Sequence, residues 1–181
     1  MRHPARWIAA SVAAVVVVLG VVLALNVGSD PAEEAQKSPL LDKAVPRFEL
    51  ATLDGSTVSS ESLAGKAVIV NFWNTWCTPC RAELPALAEY AARADAVPVV
   101  GVDVQDDPRS ALALLRELGV TLPSVTDPDG ALRGALTVPP ALPISYVVRA
   151  DGTVARVDPP TPFTSADEVA AAVERLGAGD R

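Results

Sequence analysis

The chain has 181 residues, of which 50% are hydrophobic and 20% charged, and its formal net charge is −7. This composition excludes an intrinsically disordered chain and disfavours a nucleic-acid-binding protein, because phosphate affinity needs clustered Lys and Arg. Two cysteines are too few for a scaffold held together by disulfides, and the single histidine, His3, leaves the body of the chain without a His-based metal site or triad.

The N-terminal segment has the pattern of a membrane anchor or signal peptide. Arg2 and Arg6 precede the apolar run Trp7–Val27, which matches the thickness of a bilayer core when it is helical. Acidic residues follow the run, so the positive-inside rule places the N-terminus in the cytoplasm and the rest of the chain outside. We expect a single-pass anchor in the cell membrane. The alternative is a cleaved signal peptide, with small residues such as Ala24 near its cleavage site.

Three regions follow from this pattern. Residues 1–27 are the predicted cytoplasmic N-terminus and transmembrane anchor. Residues 28–44 have no apolar period and are rich in Ser, Pro and charged side chains, which is typical of a flexible linker. Residues 45–181 form the predicted folded domain.

Strand-like and helix-like segments alternate along the domain. In chain order we predict a hairpin, a buried strand, a helix, a second buried strand, an amphipathic helix, a short strand, a short helix, a second hairpin and a final helix: Phe48–Leu53 with Thr57–Val58, Ala67–Phe72, Pro79–Ala94, Val97–Val104, Ser110–Leu118, Val125–Thr126, Ala131–Leu136, Ile144–Arg149 with Thr153–Val157, and Ser165–Leu176. This order predicts a small α/β sandwich.

The chemistry of the chain is concentrated where the first buried strand meets its helix, in Trp76-Cys77-Thr78-Pro79-Cys80. A thiol at the start of a helix faces unpaired N–H groups and a partial positive charge, which lower its pKa. We therefore expect Cys77 to be a nucleophile, and Cys80, one turn deeper, to be the buried thiol that closes a disulfide with it. The predicted reaction is thiol–disulfide exchange through a mixed disulfide.

Other uses of the cysteine pair stay open on the residues alone. A structural disulfide would constrain little chain entropy, because the loop it closes is short. A zinc site needs about four ligands, more than two thiols supply. A Cu(I) chaperone, a different class of function, is compatible with two soft thiolates. A peroxiredoxin is disfavoured, because Val70 and Asn74 stand where its pocket needs proline and Thr or Ser.

Two stretches resemble a known family. Residues 70–85, VNFWNTWCTPCRAELP, look like the signature of the TlpA/ResA group of membrane-tethered extracytoplasmic thiol-disulfide oxidoreductases, and residues 143–152, PISYVVRADG, are similar to its cis-proline strand and hairpin. The helix Ser110–Leu118 fits the insertion of this group. The resemblance implies a thioredoxin-like α/β fold with a central mixed β-sheet flanked by helices. It also implies a redox-active Cys77–Cys80 pair that works without a metal or other cofactor.

The resemblance further implies a substrate groove beside the cysteines. Pro143 would be the cis-proline, and the backbone of Leu142 would pair with a substrate strand; a trans proline that starts a strand is the alternative. Trp76 would cover the disulfide unless it is an ordinary packing residue. Residues 136–143 are richer in proline than is usual in the group, with Ala141 where glycine is common, and this departure concerns the shape of the groove.

Glu83 is the residue that the resemblance links to proton transfer. It lies three residues after Cys80, on the same helical face, and in this group a glutamate there manages the proton of the buried thiol. Burial would raise its pKa and make it a general base, whereas a solvated glutamate is the alternative. Asn71 stands where thioredoxin has a buried acid, so we expect Glu83 to be the only nearby acid for this task.

The direction of electron flow is predicted from Thr78 and Pro79, between the cysteines. Strong oxidants of this fold carry a histidine there, and its absence indicates a lower potential and a disulfide reductase. The expected substrates are disulfide-containing proteins, with apocytochrome c before haem attachment as one candidate. An oxidase for secreted proteins is the alternative. The chain has no third cysteine and no flavin or nicotinamide fingerprint, so we expect an integral membrane dithiol protein as electron donor.

Overall fold

The computed structural model describes residues 47–53, 55, 57–135 and 137–177. The predicted anchor and linker lie outside these residues, as do Asp54 of the first predicted turn and Leu136 of the predicted short helix. Among the described residues, no helix combines the length and the apolar character that crossing a bilayer requires.

The described chain opens with a short hairpin. Strand β1 (Glu49–Ala51) pairs antiparallel with β2 (Thr57–Ser59), and Leu50 lies opposite Val58. Gly55, in the connection, has φ of 89°, a conformation that glycine adopts without steric cost. The predicted hairpin is present, with a first arm shorter than the apolar pattern indicates.

A mixed sheet of five of the described strands forms the centre of the domain. Its strands in chain order are β3 (Val68–Trp73), β4 (Val99–Val104), β5 (Ser124–Asp127), β6 (Ile144–Val148) and β7 (Val154–Arg156). In space they lie in the order β5-β4-β3-β6-β7; β3, β4 and β5 are parallel, β6 is antiparallel to β3, and β7 is antiparallel to β6. Because β3 is central and covered on both faces, it reads as a continuous apolar run.

The described helices cover the two faces of the sheet unequally. They are α1 (Thr78–Ala91), α2 (Pro108–Glu117), α3 (Ala131–Ala135) and α4 (Ala166–Arg175). Apolar side chains of α1, α2 and α4 share one core cluster with both cysteines. The opposite cluster contains Leu132 of α3 and is flanked by the β1–β2 hairpin. The sandwich predicted from the alternating elements is therefore confirmed.

Local capping explains where the helices begin and end. The start of α2 lies two residues before the predicted Ser110, because the Asp107 side chain accepts a hydrogen bond from the Arg109 N–H (2.7 Å) and caps the helix. Gly119 follows α2 with φ of 65°, as expected of a residue that ends a helix. Ser165 caps α4 as predicted, since its Oγ accepts the Glu168 N–H (3.3 Å).

An apolar cavity of about 370 Å³ lies on the sheet face that carries α3 and the hairpin. Its walls include Val68, Phe72, Val102 and Tyr146, all members of the core cluster opposite the cysteines. The cavity therefore belongs to the back of the domain and contributes no side chain to the cysteine site.

Candidate active site

The cysteine pair lies at the junction of β3 and α1. Cys77 is the N-cap of α1, and its Sγ accepts a hydrogen bond from the Cys80 N–H (3.2 Å). Pro79 occupies the first turn, where a missing N–H costs little. Cys77 and Cys80 form a disulfide with their Cα atoms 5.2 Å apart. Cys77 is 6% exposed and Cys80 1%, so the structure places the second cysteine deeper, as the sequence predicts.

The predicted groove residues meet beside the end of β3. The Leu142–Pro143 peptide bond is cis. Ile144, the next residue, pairs with Phe72 in β3, so Pro143 lies next to the segment that leads into the cysteines. Leu142 is half-buried against both core clusters. Trp76 is 67% exposed and is the only exposed large apolar side chain among the described residues. Its cover over the disulfide stays a prediction.

Glu83 is buried, with 2% of its surface exposed. One carboxylate oxygen, Oε1, accepts a hydrogen bond from Asn71 Nδ2 (2.7 Å), and Oε2 accepts one from the Phe163 N–H (3.3 Å). Asn71 Nδ2 also donates to Ser145 Oγ (3.0 Å). Burial raises the pKa of Glu83 to about 7, although both hydrogen bonds act to lower it. The solvated alternative is therefore wrong, and the carboxyl can exchange a proton near neutral pH.

A second buried acid, Asp103, was not expected. It pairs with Trp73 in the β3–β4 ladder, and Trp73 shares the core cluster of the cysteines. Within the described residues, neither carboxylate oxygen of Asp103 has a hydrogen-bond partner. Burial, together with the charges of Asp106 and Asp107, raises the pKa of Asp103 to about 7. Asp103 is therefore a further buried acid with a raised pKa, whereas the expectation of Glu83 as the only acid near the buried thiol stays a prediction. The available signal was an aspartate inside an otherwise apolar strand.

The segment before the cysteines is held by the loop after β4. The Thr75 N–H donates a hydrogen bond to Asp106 Oδ2 (2.6 Å). On the helix side, Arg81 Nη2 forms an ion pair with Glu117 Oε1 of α2 (3.0 Å). Thus the loop after β4 and helix α2, the helix that the resemblance identifies as an insertion, both contact the active-site segment directly.

The metal-binding alternatives need different ligand sets. In the part of the chain that the structure describes, no group of three or more His, Cys, Asp or Glu side chains is arranged to hold a metal ion. The described residues therefore offer zinc no complete ligand set. The Cu(I) alternative needs only the two thiolates, and it stays a prediction.

Comparison with known proteins finds relatives along most of the chain. The model of the AhpC/TSA family matches residues 41–157. The soluble secreted antigen MPT53 of Mycobacterium tuberculosis is 32% identical over 162 residues, 90% of either chain. The thiol-disulfide oxidoreductase ResA of Bacillus subtilis is 32% identical over 114 residues, which are 62% of this chain and 63% of ResA.

A solved structure shares both the fold and the type of chemistry. The crystal structure of a secreted Mycobacterium tuberculosis disulfide oxidoreductase, homologous to E. coli DsbE, superposes with a TM-score of 0.63 at 33% identity, covering 71% of this chain and 96% of that one. Within the matched region, Val70 and Asn74 still replace the residues that a peroxidase pocket needs. The AhpC/TSA match therefore gives no argument for peroxidase chemistry.

Proposed function

We propose, from the premise that the chain belongs to the AhpC/TSA family and is a thioredoxin-like thiol-disulfide oxidoreductase, that it acts outside the cytoplasm as a disulfide reductase for proteins. The observation that carries the proposal is the Cys77–Cys80 pair at the N-terminus of α1, with the buried Glu83 one turn further along the helix. The pair supplies the electrons, and the acid supplies a site for the proton.

In the reducing direction, exchange begins from the dithiol. The Cys77 thiolate, stabilised by the N–H groups of the first turn of α1, attacks one sulfur of the substrate disulfide, and the other substrate sulfur leaves as a thiolate. Cys80 then loses its proton and attacks Cys77 Sγ. This step releases the second substrate sulfur and closes the Cys77–Cys80 disulfide. Two electrons pass to the substrate, and a dithiol partner returns them.

Glu83 is the proposed acceptor of the Cys80 proton. It lies three residues after Cys80 on α1, and its pKa of about 7 suits proton exchange at neutral pH. The Asn71 amide and the Phe163 N–H hold the two carboxylate oxygens, so the side chain keeps one position while its charge changes. A carboxylate fixed in this way needs no rearrangement when Cys80 has to ionise.

The groove beside the cysteines is the proposed docking site for the substrate. Trp76 offers an exposed apolar surface next to Cys77, and such a surface suits contact with a partly unfolded protein. The backbone of Leu142 lies ahead of β6, where an extended substrate segment can pair with it. These features favour disulfides in proteins over small-molecule disulfides as substrates. Apocytochrome c before haem attachment is one candidate.

The proposed location is based on the N-terminal sequence, and the proposed electron donor on the number of cysteines. The apolar run Trp7–Val27, with Arg2 and Arg6 before it, supports an anchor in the cell membrane with the domain outside. A reductase there must be reduced again, and with two cysteines the chain needs a partner as its source of electrons. We propose an integral membrane dithiol protein in that role.

Trapping of the mixed disulfide tests the function. The full-length Cys80→Ser chain is expected to accumulate proteins on Cys77 as mixed disulfides that mass spectrometry identifies, because the resolving thiol is gone. The matched control Cys77→Ser should trap none. Capture of no protein by Cys80→Ser would overturn the exchange mechanism.

Equilibration with glutathione tests the direction of electron flow. A reduction potential near that of thioredoxin, about −270 mV, supports a reductase. A potential near that of the oxidant DsbA, about −120 mV, would overturn this direction and favour an oxidase for secreted proteins. The absence of histidine at Thr78 and Pro79 favours the lower value.

A further inference from the structure

The loop that leads into Pro143 has few ways to hold its own shape. Pro139, Pro140 and Pro143 have no N–H to donate, so only Ala141 and Leu142 carry a backbone donor in residues 139–143. The Pro139 carbonyl instead accepts a hydrogen bond from Arg133 Nη2 (2.9 Å). The Val138 N–H donates to the Arg133 carbonyl (3.0 Å). Arg133 therefore holds the loop with both its side chain and its backbone.

The second arm of the Arg133 guanidinium reaches the loop after β4. Its Nη1 donates to Gln105 Oε1 (3.0 Å). The Gln105 backbone is itself fixed, because its N–H donates to the Asp127 carbonyl (3.0 Å) and its φ is 53°. The next residue is Asp106, which accepts the Thr75 N–H two residues before the first cysteine. One arginine thus connects the groove loop to the loop that supports the cysteine segment.

Arg133 is itself held in place by Asp127, the last residue of β5. The buried Asp127 carboxylate accepts the Leu132 N–H at Oδ1 (2.9 Å) and the Arg133 N–H at Oδ2 (2.8 Å). These bonds fix the start of α3 and therefore the point from which the arginine extends. A planar guanidinium with two fixed arms sets a distance, whereas a single point charge does not.

We propose that Arg133 is a positioning residue for the substrate groove: it fastens the proline-rich loop to the Gln105–Asp106 loop and so fixes the spacing between Leu142 and Cys77. This inference rests on the proposed function, since it needs a substrate segment that lies along Leu142. The proline content of this loop is consistent with that role, because a stretch with few N–H donors depends on donors from elsewhere, such as Arg133.

The test compares Arg133→Ala and Arg133→Lys with the parent chain, using a peptide disulfide as substrate. If the spacing between Leu142 and Cys77 is no longer fixed, the substrate binds more weakly. The KM of Arg133→Ala is therefore expected to rise about tenfold, while its kcat stays within about twofold of the parent value. Arg133→Lys keeps the charge without the two-armed geometry and should restore KM only in part. The control Arg116→Ala, on the exposed side of α2, should match the parent chain. Thermal unfolding verifies that each variant is folded.

A second comparison separates positioning from general loosening of the structure. Gln105→Ala removes the other end of the same link, so the double variant with Arg133→Ala should raise KM no more than either single change. Three outcomes would overturn the inference: additive increases in KM in the double variant, an unchanged KM in folded Arg133→Ala, or a fall in kcat as large as the rise in KM. The assay runs in both directions. A chain that only oxidises a dithiol peptide overturns the proposed reductase, and the KM for that peptide still tests Arg133.

Discussion

At the residue scale, two buried carboxyl groups with a pKa near neutrality, Glu83 and Asp103, have different surroundings. Glu83 has a hydrogen-bond donor at each oxygen, whereas Asp103 has none among the described residues. Donors favour the charged form of a carboxyl, and neighbouring negative charges such as Asp106 and Asp107 disfavour it. Glu83 is therefore suited to hold and release a proton in one position, while Asp103 is a buried acid that ionises at a cost to stability.

Glu83→Gln tests the proton transfer. Glutamine keeps the size of the side chain but cannot accept the Cys80 proton, so the step in which Cys80 attacks the mixed disulfide should slow about 100-fold at pH 7. The rate of this step in the parent chain should also rise with pH through about 7, since the carboxylate is the active form. Rapid acid quenching at several pH values measures both effects. Glu89→Gln, on the exposed side of α1, is the control. An unchanged pH profile in Glu83→Gln would remove Glu83 from the mechanism.

Asp103→Asn tests the cost of the second acid. The folded pKa of about 7 lies above the ordinary value of 3.8, so the native state holds its proton more tightly than the unfolded state. The free energy of unfolding should therefore fall as pH rises from about 4 to 7 and then level off. Asparagine removes this contribution, so the variant should gain stability over the parent chain as pH rises from 5 to 8.

Urea unfolding at both pH values measures that gain, with the exposed Glu174→Gln as the control. Glu83 contributes a fall of the same sign, so Asp103→Asn should keep part of the pH dependence. A stability difference from the parent that does not change with pH would contradict the titration of Asp103.

At the element scale, Gly101 of β4 leaves room for buried side chains of β3 and β5. A Cβ added there would lie 2.7 Å from Trp73 Nε1 and would also collide with Ser124 Oγ. Both neighbours are buried, so neither can move into solvent. We expect Gly101→Ala to lower the free energy of unfolding by about 1–3 kcal/mol through overpacking. The displaced Trp73 should also change its near-ultraviolet circular dichroism.

Gly134→Ala is the matched control for this substitution. Gly134 lies in α3, and a Cβ there meets nothing within 4 Å. Alanine in a helix is favoured over glycine, so this variant should be as stable as the parent chain or gain up to about 1 kcal/mol. Urea unfolding of the two variants side by side gives the comparison. Equal stabilities would show that the sheet tolerates a methyl group at Gly101.

The elements that the sequence predicts well are those with a local cause. The β3 and β4 strands follow from apolar runs, and the position of Cys77 follows from a strand end next to Pro79. The early start of α2 had a local signal as well, because Asp107 before Pro108 is a capping pattern. Helical periodicity alone places the start of α2 at Ser110, two residues late, because the capping residue lies outside the apolar repeat.

The environment of the site depends on contacts between distant segments, which spacing does not reveal. Helical spacing places Glu83 on the face of Cys80, but its partner Phe163 is 80 residues away. Likewise, the apolar character of β4 predicts a buried strand without indicating that Asp103 points into the core beside Trp73. The cysteine pair was therefore predictable from the sequence, while the burial and the partners of Glu83 and Asp103 needed the fold.

At the scale of the whole molecule, the domain has a redox side and a back. The cysteines, α1, α2 and α4 share one core cluster, whereas the hairpin, α3 and the apolar cavity lie on the other face of the sheet. Arg133 extends from α3, on the back, to the loops that border the cysteine segment. The site is thus assembled from loops at the end of β3 and β4, and both faces contribute to its support.

The proposed location predicts how the whole chain behaves in cells. With an uncleaved anchor, the full-length chain should fractionate with membranes, and Cys77 should react with a membrane-impermeant maleimide in intact cells after mild reduction. Because Cys80 is buried more deeply, Cys80→Ser should keep the label and Cys77→Ser should lose most of it. Labelling that requires cell lysis would place the domain in the cytoplasm. A soluble labelled chain that begins shortly after Ala24 would instead show a cleaved signal peptide, and the domain would then meet its electron donor by diffusion.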